Sequence, residues 1–273
     1  MTGVRTAWWR RQRTTDREDA PLSGAAVPWA LAGASIATQV AYPLLDGRAL
    51  RHVTFATVLC SAAACASHAW VHRGPVWASL FTATVLTASL AAEAVGLRRG
   101  VPFGRYAYTG TLGPTVLDVP LVVPLAWLMI AYPSFVVARR TTRRSVPLVG
   151  ALAMTGWDVF LDPQMVAAGH WAWEHPTPAL PGVPGVPLTN YAGWVAVSAA
   201  LMAVLDRLPR HDDVDDSVPG ALWGWGYLGS LLGNAVFFRR PGVAAAGGVA
   251  MGLVAVPDAV RLWRRRRVGA QPC

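Results

Sequence analysis

Long apolar blocks separated by short polar stretches dominate the chain. A helix needs roughly 20 apolar residues to cross a bilayer, and the blocks have about that length without the alternating pattern of a barrel strand. Every backbone polar group in lipid needs an internal partner, so the pattern predicts helices. We place eight of them at residues 27–45, 53–72, 76–97, 119–138, 146–166, 189–206, 218–238 and 243–262.

The predicted fold is therefore an all-α, polytopic membrane bundle of about eight transmembrane helices. Seven is the alternative, because the last two helices are short and rich in glycine. The bundle would form one domain over 27–262, with basic tails at 1–26 and 263–273. Composition agrees, since only 14% of the residues are charged, against about 25% in soluble domains.

All 24 basic residues are arginines, and they cluster between the apolar blocks. With the N-terminus placed in the cytoplasm, 17 arginines fall on the inner side and 7 on the outer side. This bias predicts cytoplasmic N- and C-termini and an even number of spans. We expect a multi-pass protein of the plasma membrane whose arginines contact the lipid bilayer, and no binding to nucleic acid.

Three carboxylates fall inside predicted helices, where a charge costs about 2.5–3.5 kcal/mol on insertion scales. They are Glu93, Asp158 and Asp162. The two aspartates lie four residues apart and so share one helical face. Alternating helix directions place all three acids in the same half of the membrane, near Asn190 and Gln39.

The two longest connections, 98–118 and 167–188, reach that same end of the bundle. Both are rich in glycine, proline and aromatic residues. Long loops in compact folds are usually functional or disordered, and the aromatic content favours ordered loops that lie on the membrane or dip into it. The acids could instead have a purely structural role, through ion pairs with the nearby arginines or hydrogen bonds to tyrosines. Those arginines are Arg98, Arg99 and Arg105.

A carboxyl group in an apolar site beside a second carboxyl group tends to keep its proton. Such an acid can protonate a carbon–carbon double bond, and aromatic faces stabilise the resulting cation. Four of the 13 tryptophans are placed for this role, namely Trp157, Trp171, Trp173 and Trp194. The six histidines are too dispersed for a di-iron centre, so we predict no metal site.

Three blocks between about 90 and 200 resemble the CruF-type carotenoid biosynthesis family, which includes carotenoid 1,2-hydratases and the bisanhydrobacterioruberin hydratase. The first block comprises 93–96, 102–109 and 112–114, the second 119–127, and the third 158–163, 170–173 and 187–194. The resemblance implies a cofactor-independent hydratase that adds water to the end of an acyclic carotenoid and gives a tertiary alcohol. It also implies an acyclic carotenoid as substrate, with other enzymes of that pathway as further partners.

We therefore predict that Asp158 or Asp162 donates the proton while the other acid favours its retention. Glu93 or Asn190 would position the water. The residues predicted to bind substrate are Tyr106, Tyr108, Asn190, Trp194 and Trp171.

Two other functions stay open at this point. A membrane prenyltransferase or carotenoid elongase would use two acidic motifs to hold magnesium diphosphate, and the second acidic run, 212–216, lies at the other end of the bundle. A carotenoid-binding pathway protein without catalytic activity would use the acids only structurally.

A glycine-rich stretch at 224–229 matches a dinucleotide-binding pattern, but no strand precedes it. We instead expect Gly229 and Gly233 to allow close packing between helices.

Overall fold

In the part of the chain that the structure describes, eight α-helices lie where the apolar blocks predict them. The structure, a computed structural model, describes residues 26–211 and 213–269. Most of the predicted N-terminal tail lies outside the described residues, whereas 263–269 of the predicted C-terminal tail belong to the last helix. The helices are α1 Ala26–Ala41, α2 Gly47–Arg73, α3 Pro75–Arg99, α4 Val122–Thr141, α5 Val146–Ala167, α6 Leu188–Leu205, α7 Ser217–Leu232 and α8 Pro241–Gly269. A short 3-10 turn, Tyr42–Leu44, follows α1, and a π-helical segment, Gly233–Phe237, follows α7.

Four short strands occupy the loops. They are β1 Tyr106–Tyr108, β2 Thr115–Val116, β3 Val119–Pro120 and β4 Trp171–Trp173. β1 pairs with β4 and β2 pairs with β3, both antiparallel. Both long connections are therefore ordered, as predicted.

Several predicted helix bounds are wrong by a few residues. α1 ends at Ala41 because the chain tightens into the 3-10 turn at Pro43. α4 begins at Val122, three residues late, because Val119 is still paired in the β2–β3 hairpin. α2 begins at Gly47 and α8 extends to Gly269. Both continue into polar sequence, which apolar content alone does not mark as helical.

The protein is a helical membrane protein. Five helices are long and apolar enough to cross a bilayer, namely α2, α3, α4, α6 and α8. α1 and α7 have 16 residues each, and α5 has 22 residues including the two aspartates. Large apolar side chains on the outer helix faces are exposed, as expected of a surface that lipid covers.

α4 and α5 form the centre of the bundle and are its most buried helices. α5 packs against α6 and α8 as well as α4. Gly156 allows the approach to α8, because a Cβ atom there would lie 2.9 Å from the backbone nitrogen of Met251. A side chain at this position would push the two backbones apart.

The bundle has two chemically different ends. One end holds Glu93, Asp158 and Asp162 and is called the site end. There α1, α3, α5 and α7 finish and α4 and α6 begin. At the opposite end, α2, α4 and α6 finish and α7 begins. Three arginines there pair with acids on other helices or loops: Arg73 with Asp216 at 2.6 Å, Arg139 with Asp206 at 3.0 Å, and Arg140 with Asp258. His68 is fully buried beside the first pair and shares the hydroxyl of Tyr132 with Arg73.

Candidate active site

A pair of carboxyl groups on α5 forms the centre of the site. Asp158 and Asp162 are buried, one helical turn apart, and their carboxyl groups interact directly. The side-chain nitrogen of Asn190, at the start of α6, donates to Oδ2 of both acids, at 3.0 Å for Asp158. The remaining oxygen of Asp158, Oδ1, is buried without a hydrogen-bond partner among the described residues.

A third acid, Glu93 near the end of α3, faces the pair and interacts electrostatically with both aspartates. Its Oε2 accepts hydrogen bonds from the hydroxyl of Tyr106 and, at 2.9 Å, from that of Tyr108. Its Oε1 accepts one from the indole nitrogen of Trp127 at 3.0 Å. Three neutral donors therefore surround Glu93, a set that suits a carboxylate anion.

The β1–β4 ladder supplies four aromatic side chains to the site. Tyr106 lies opposite Trp173, and Tyr108 lies opposite Trp171. Alternate residues of a strand share a face, so all four rings line the same cavity while the alanines between them face outward and are exposed. The Trp171 indole lies near Asp162 and interacts with it electrostatically.

Both tyrosines act as neutral hydrogen-bond donors. Burial raises the pKa of Tyr106, and the negative charge of Glu93 raises it further. The same two causes, in the same order, raise the pKa of Tyr108. Neither phenol loses its proton in the physiological pH range, so the contacts with Glu93 persist across it.

Two indole rings form a flat wall beside the acids. Trp127 on α4 and Trp194 on α6 stack with centroids 4.2 Å apart and an interplanar angle of 8°. Phe103 packs against both, 6.4 Å from each centroid. Its loop approaches α6 at Gly193, where a Cβ atom would lie 2.7 Å from the carbonyl oxygen of Pro102.

These groups share one cavity of about 380 Å³, lined mostly by apolar and aromatic side chains. A concave apolar site with a few converging polar groups is the usual form of a small-molecule site. The ion pairs of the described residues lie at the opposite end of the bundle, and none involves Glu93, Asp158 or Asp162.

The structure brings together every residue predicted from sequence to form the site. Glu93, Asp158, Asp162 and Asn190 meet in the cavity, and Gln39 lines it further out. The remaining predicted residues that line it are Tyr106, Tyr108, Trp157, Trp171, Trp173 and Trp194. The sequence left two structural roles open for the acids, namely ion pairs with nearby arginines and hydrogen bonds to tyrosines. Such ion pairs are absent among the described residues, whereas Glu93 does accept hydrogen bonds from two tyrosines.

Sequence reasoning missed one residue that contacts the acids. Trp127 lies eight residues after the predicted start of a helix that begins at the site end, a position that places it at the level of Glu93. The expectation for Gly229 and Gly233 is wrong. Both line the cavity, and the nearest atoms to a Cβ there belong to the side chains of Trp225 and Phe238.

The second acidic run lies far from the cavity. Asp216 pairs with Arg73, Asp215 caps the start of α7 through the backbone nitrogen of Ser217 at 2.9 Å, and Asp212 lies outside the described residues. Within the described ranges, no group of three or more histidine, cysteine, aspartate or glutamate side chains could hold a metal ion. Among the described residues, this acidic run is therefore separate from the acids of the cavity.

Comparison with known proteins points to one pathway. The family model described as "Carotenoid biosynthesis protein" matches residues 53–237, which is more than half of the chain and includes Glu93, Asp158 and Asp162. The bisanhydrobacterioruberin hydratase of Haloarcula japonica is 32% identical over 172 residues, and the match covers 57% of this chain and 57% of the relative. No solved structure matches the chain.

Proposed function

Because this chain belongs to the carotenoid biosynthesis protein family, we propose that it is a hydratase that adds water across the terminal double bond of an acyclic carotenoid. The product is a tertiary alcohol. The relative's name includes the word hydratase, which supports this reaction class. The substrate, the regiochemistry and the mechanism are part of the proposal.

The buried oxygen Oδ1 of Asp158 carries the proposal. Asp158 lines an apolar cavity, and its Oδ1 is itself buried and accepts no hydrogen bond from a described residue. Asn190 donates to Oδ2 of both aspartates and holds the pair together. Two carboxyl groups in contact, buried and without a cation, retain a proton between them. This carboxyl pair, which lines the cavity, is the position from which that proton reaches a substrate alkene.

The proposed reaction returns the proton that it uses. Asp158 protonates the less substituted carbon of the terminal double bond, which leaves a tertiary cation on the neighbouring carbon. The oxygen of a water molecule then bonds to that carbon, and one proton of the water passes to the aspartate pair. The sum is one water added, and the carboxyl pair ends in its starting state.

The surrounding groups stabilise the cation. The stacked rings of Trp127 and Trp194 present an aromatic face, which attracts a cation by about 0.5–2 kcal/mol. Glu93, held by three neutral donors, supplies a nearby negative charge. In a cavity with few polar groups, this charge acts with little screening.

We also propose that the protein lies in the plasma membrane with both termini in the cytoplasm. The unequal distribution of the 24 arginines supports this orientation. Reporter fusions at the two ends that respond only to a cytoplasmic location should both be active. An inactive reporter at either end would contradict the orientation.

The test is isotope-labelled turnover in membranes from cells that make an acyclic carotenoid. In deuterium oxide, each new hydroxyl group should appear with one deuterium on the adjacent carbon. In water labelled with oxygen-18, the hydroxyl oxygen should carry the label. Asp158→Asn is the matched control, because it removes the proton donor but keeps the size of the side chain.

Three other results would contradict the proposal. Oxygen incorporated from dioxygen indicates hydroxylation. A gain of five-carbon units indicates prenyl transfer. Pigment that binds to the purified protein and stays unchanged, with no labelled product, indicates a carotenoid-binding protein.

A further inference from the structure

The cavity reaches the protein surface at one apolar place. Of its lining residues in the described part of the chain, three are more than half exposed: Val40 at 55%, Leu232 at 56% and Phe237 at 53%. All the other lining residues are buried or half-buried. The three come from the end of α1 and from the end of α7 with its π-helical segment. The mouth of the cavity thus lies on the side of the bundle, between these two elements.

The exposed side chains beside the mouth on α1 and α7 are apolar, and Arg240 lies over the ring of Phe238, 5.7 Å from its centroid. Leu44 beyond α1 is 76% exposed, and Leu228 and Val236 on the other side are 61% and 57% exposed. In a membrane protein, such a surface contacts lipid chains. The mouth therefore opens toward the hydrocarbon region rather than toward water.

Two aromatic rings meet across the mouth. Tyr42, in the 3-10 turn after α1, and Phe238, directly after the π-helical segment, are in edge-to-face contact with centroids 6.0 Å apart. The backbone nitrogen of Phe238 donates to the carbonyl oxygen of Gly233, five residues earlier, at 2.9 Å. Single π-helical turns occur frequently at functional sites, and this one sets the position of one of the two rings.

The size of the cavity explains why a lateral mouth is needed. A volume of about 380 Å³ is near the lower end for pockets that hold drug-sized molecules, and a carotenoid is much longer than such a molecule. Only the end of the polyene fits beside the acids. The rest of the chain needs an apolar path out of the cavity.

We propose that the mouth between α1 and the π-helical segment is the entrance through which the end of an isoprenoid chain passes from the bilayer into the cavity. Tyr42 and Phe238 separate as it enters, and the remaining chain lies outside against α1 and α7. This inference rests on the proposed function for the identity of the chain. The mouth itself is defined by the exposed lining residues.

The test places a single thiol at the mouth. Phe237→Cys, in a protein whose native cysteines are replaced by serine, is reacted with a bulky maleimide in membrane vesicles. Leu80→Cys is the matched control, because Leu80 on α3 is as exposed as Phe237, at 53%, but does not line the cavity. Turnover of an acyclic carotenoid is measured before and after the reaction.

We expect modification at position 237 to remove most of the turnover, and modification at 80 to leave it within about twofold, as for surface substitutions. A second measurement does not depend on catalysis. The acyclic carotenoid, added to the vesicles first, should slow the reaction of maleimide at 237 and leave the reaction at 80 unchanged.

The possible results test the proposed entrance and the proposed reaction independently. Full turnover after modification at 237, or no protection of the thiol by the carotenoid, would overturn the entrance. Protection at 237 without any hydrated product would support the entrance and overturn the proposed reaction.

Discussion

The two ends of this bundle surround their acidic side chains with different partners. Each end holds acidic side chains that are buried or nearly so. At the opposite end the acids pair with arginines, as in Arg140 with Asp258 and Arg73 with Asp216. At the site end, Glu93, Asp158 and Asp162 have only neutral donors and each other.

This difference distinguishes acids that have a structural role from acids that are suited to catalysis. An acid paired with an arginine stays ionised, and its main effect is to fix the positions of the elements that it joins. An acid pair without a cation is costly to ionise fully, since burial penalises two negative charges in one place. The protein keeps that pair where a cavity reaches it, and this is the arrangement that an acid catalyst needs.

The largest effect should come from the acid pair. Asp158→Asn removes the proton donor, and loss of a general acid reduces rates by about 10²–10⁴-fold. The amount of folded protein in the membrane should not change, because Asn is nearly the same size. The measurement is product formed per folded protein, and unchanged product formation would remove Asp158 from the mechanism.

A change at the end with the arginine pairs should reduce stability and leave the specific activity unchanged. Asp258→Asn leaves Arg140 without its partner, and breaking a buried ion pair costs about 3–5 kcal/mol of stability. Activity per folded protein should stay at the wild-type level. Thermal unfolding in detergent measures the loss of stability. A loss of specific activity without loss of stability would contradict the division between the two ends.

A smaller effect should follow from the indole stack. Trp194→Phe reduces the aromatic face beside the cation site, which should cost up to about 2 kcal/mol, or roughly thirtyfold in rate. Trp223→Phe is the control, because Trp223 is equally buried but does not line the cavity. Equal losses of kcat in the two variants would argue for a packing effect and against a role for the stack.

The smallest effect should come from the exposed pair of Arg210 and Asp206. These side chains are 30% and 25% exposed. Ion pairs near the surface contribute about 0.2–1 kcal/mol to stability. Arg210→Gln should therefore change neither the unfolding temperature nor the turnover measurably. A large loss of stability would show that Arg210 belongs with the buried pairs of that end.

The sequence was sufficient to place the helices and the acids. Eight apolar blocks correspond to eight helices, and alternating helix directions put Glu93, Asp158 and Asn190 at one level. Both predictions rest on local properties, namely block length and position within a block. They fail only at helix ends such as Val119, where a hairpin that apolar content does not reveal takes the place of the first helical turn.

The contacts that involve pairing between distant segments could not be predicted. Nothing local shows that Tyr106–Tyr108 pairs with Trp171–Trp173, although the alternation of aromatic residues with alanine is itself typical of a strand. The mouth of the cavity was equally hidden. Its rings, Tyr42 and Phe238, are almost 200 positions apart, and the π-helical turn beside one of them has no clear signature in composition.

The β1–β4 ladder makes the lengths of the adjoining segments important. A slip of one residue in a strand pair turns every side chain to the other face. Here that would move two tyrosines or two tryptophans out of the cavity and put an alanine in their place. Single-residue insertions or deletions between Arg99 and Tyr106 should therefore be poorly tolerated, because they change which side chains of β1 face the cavity.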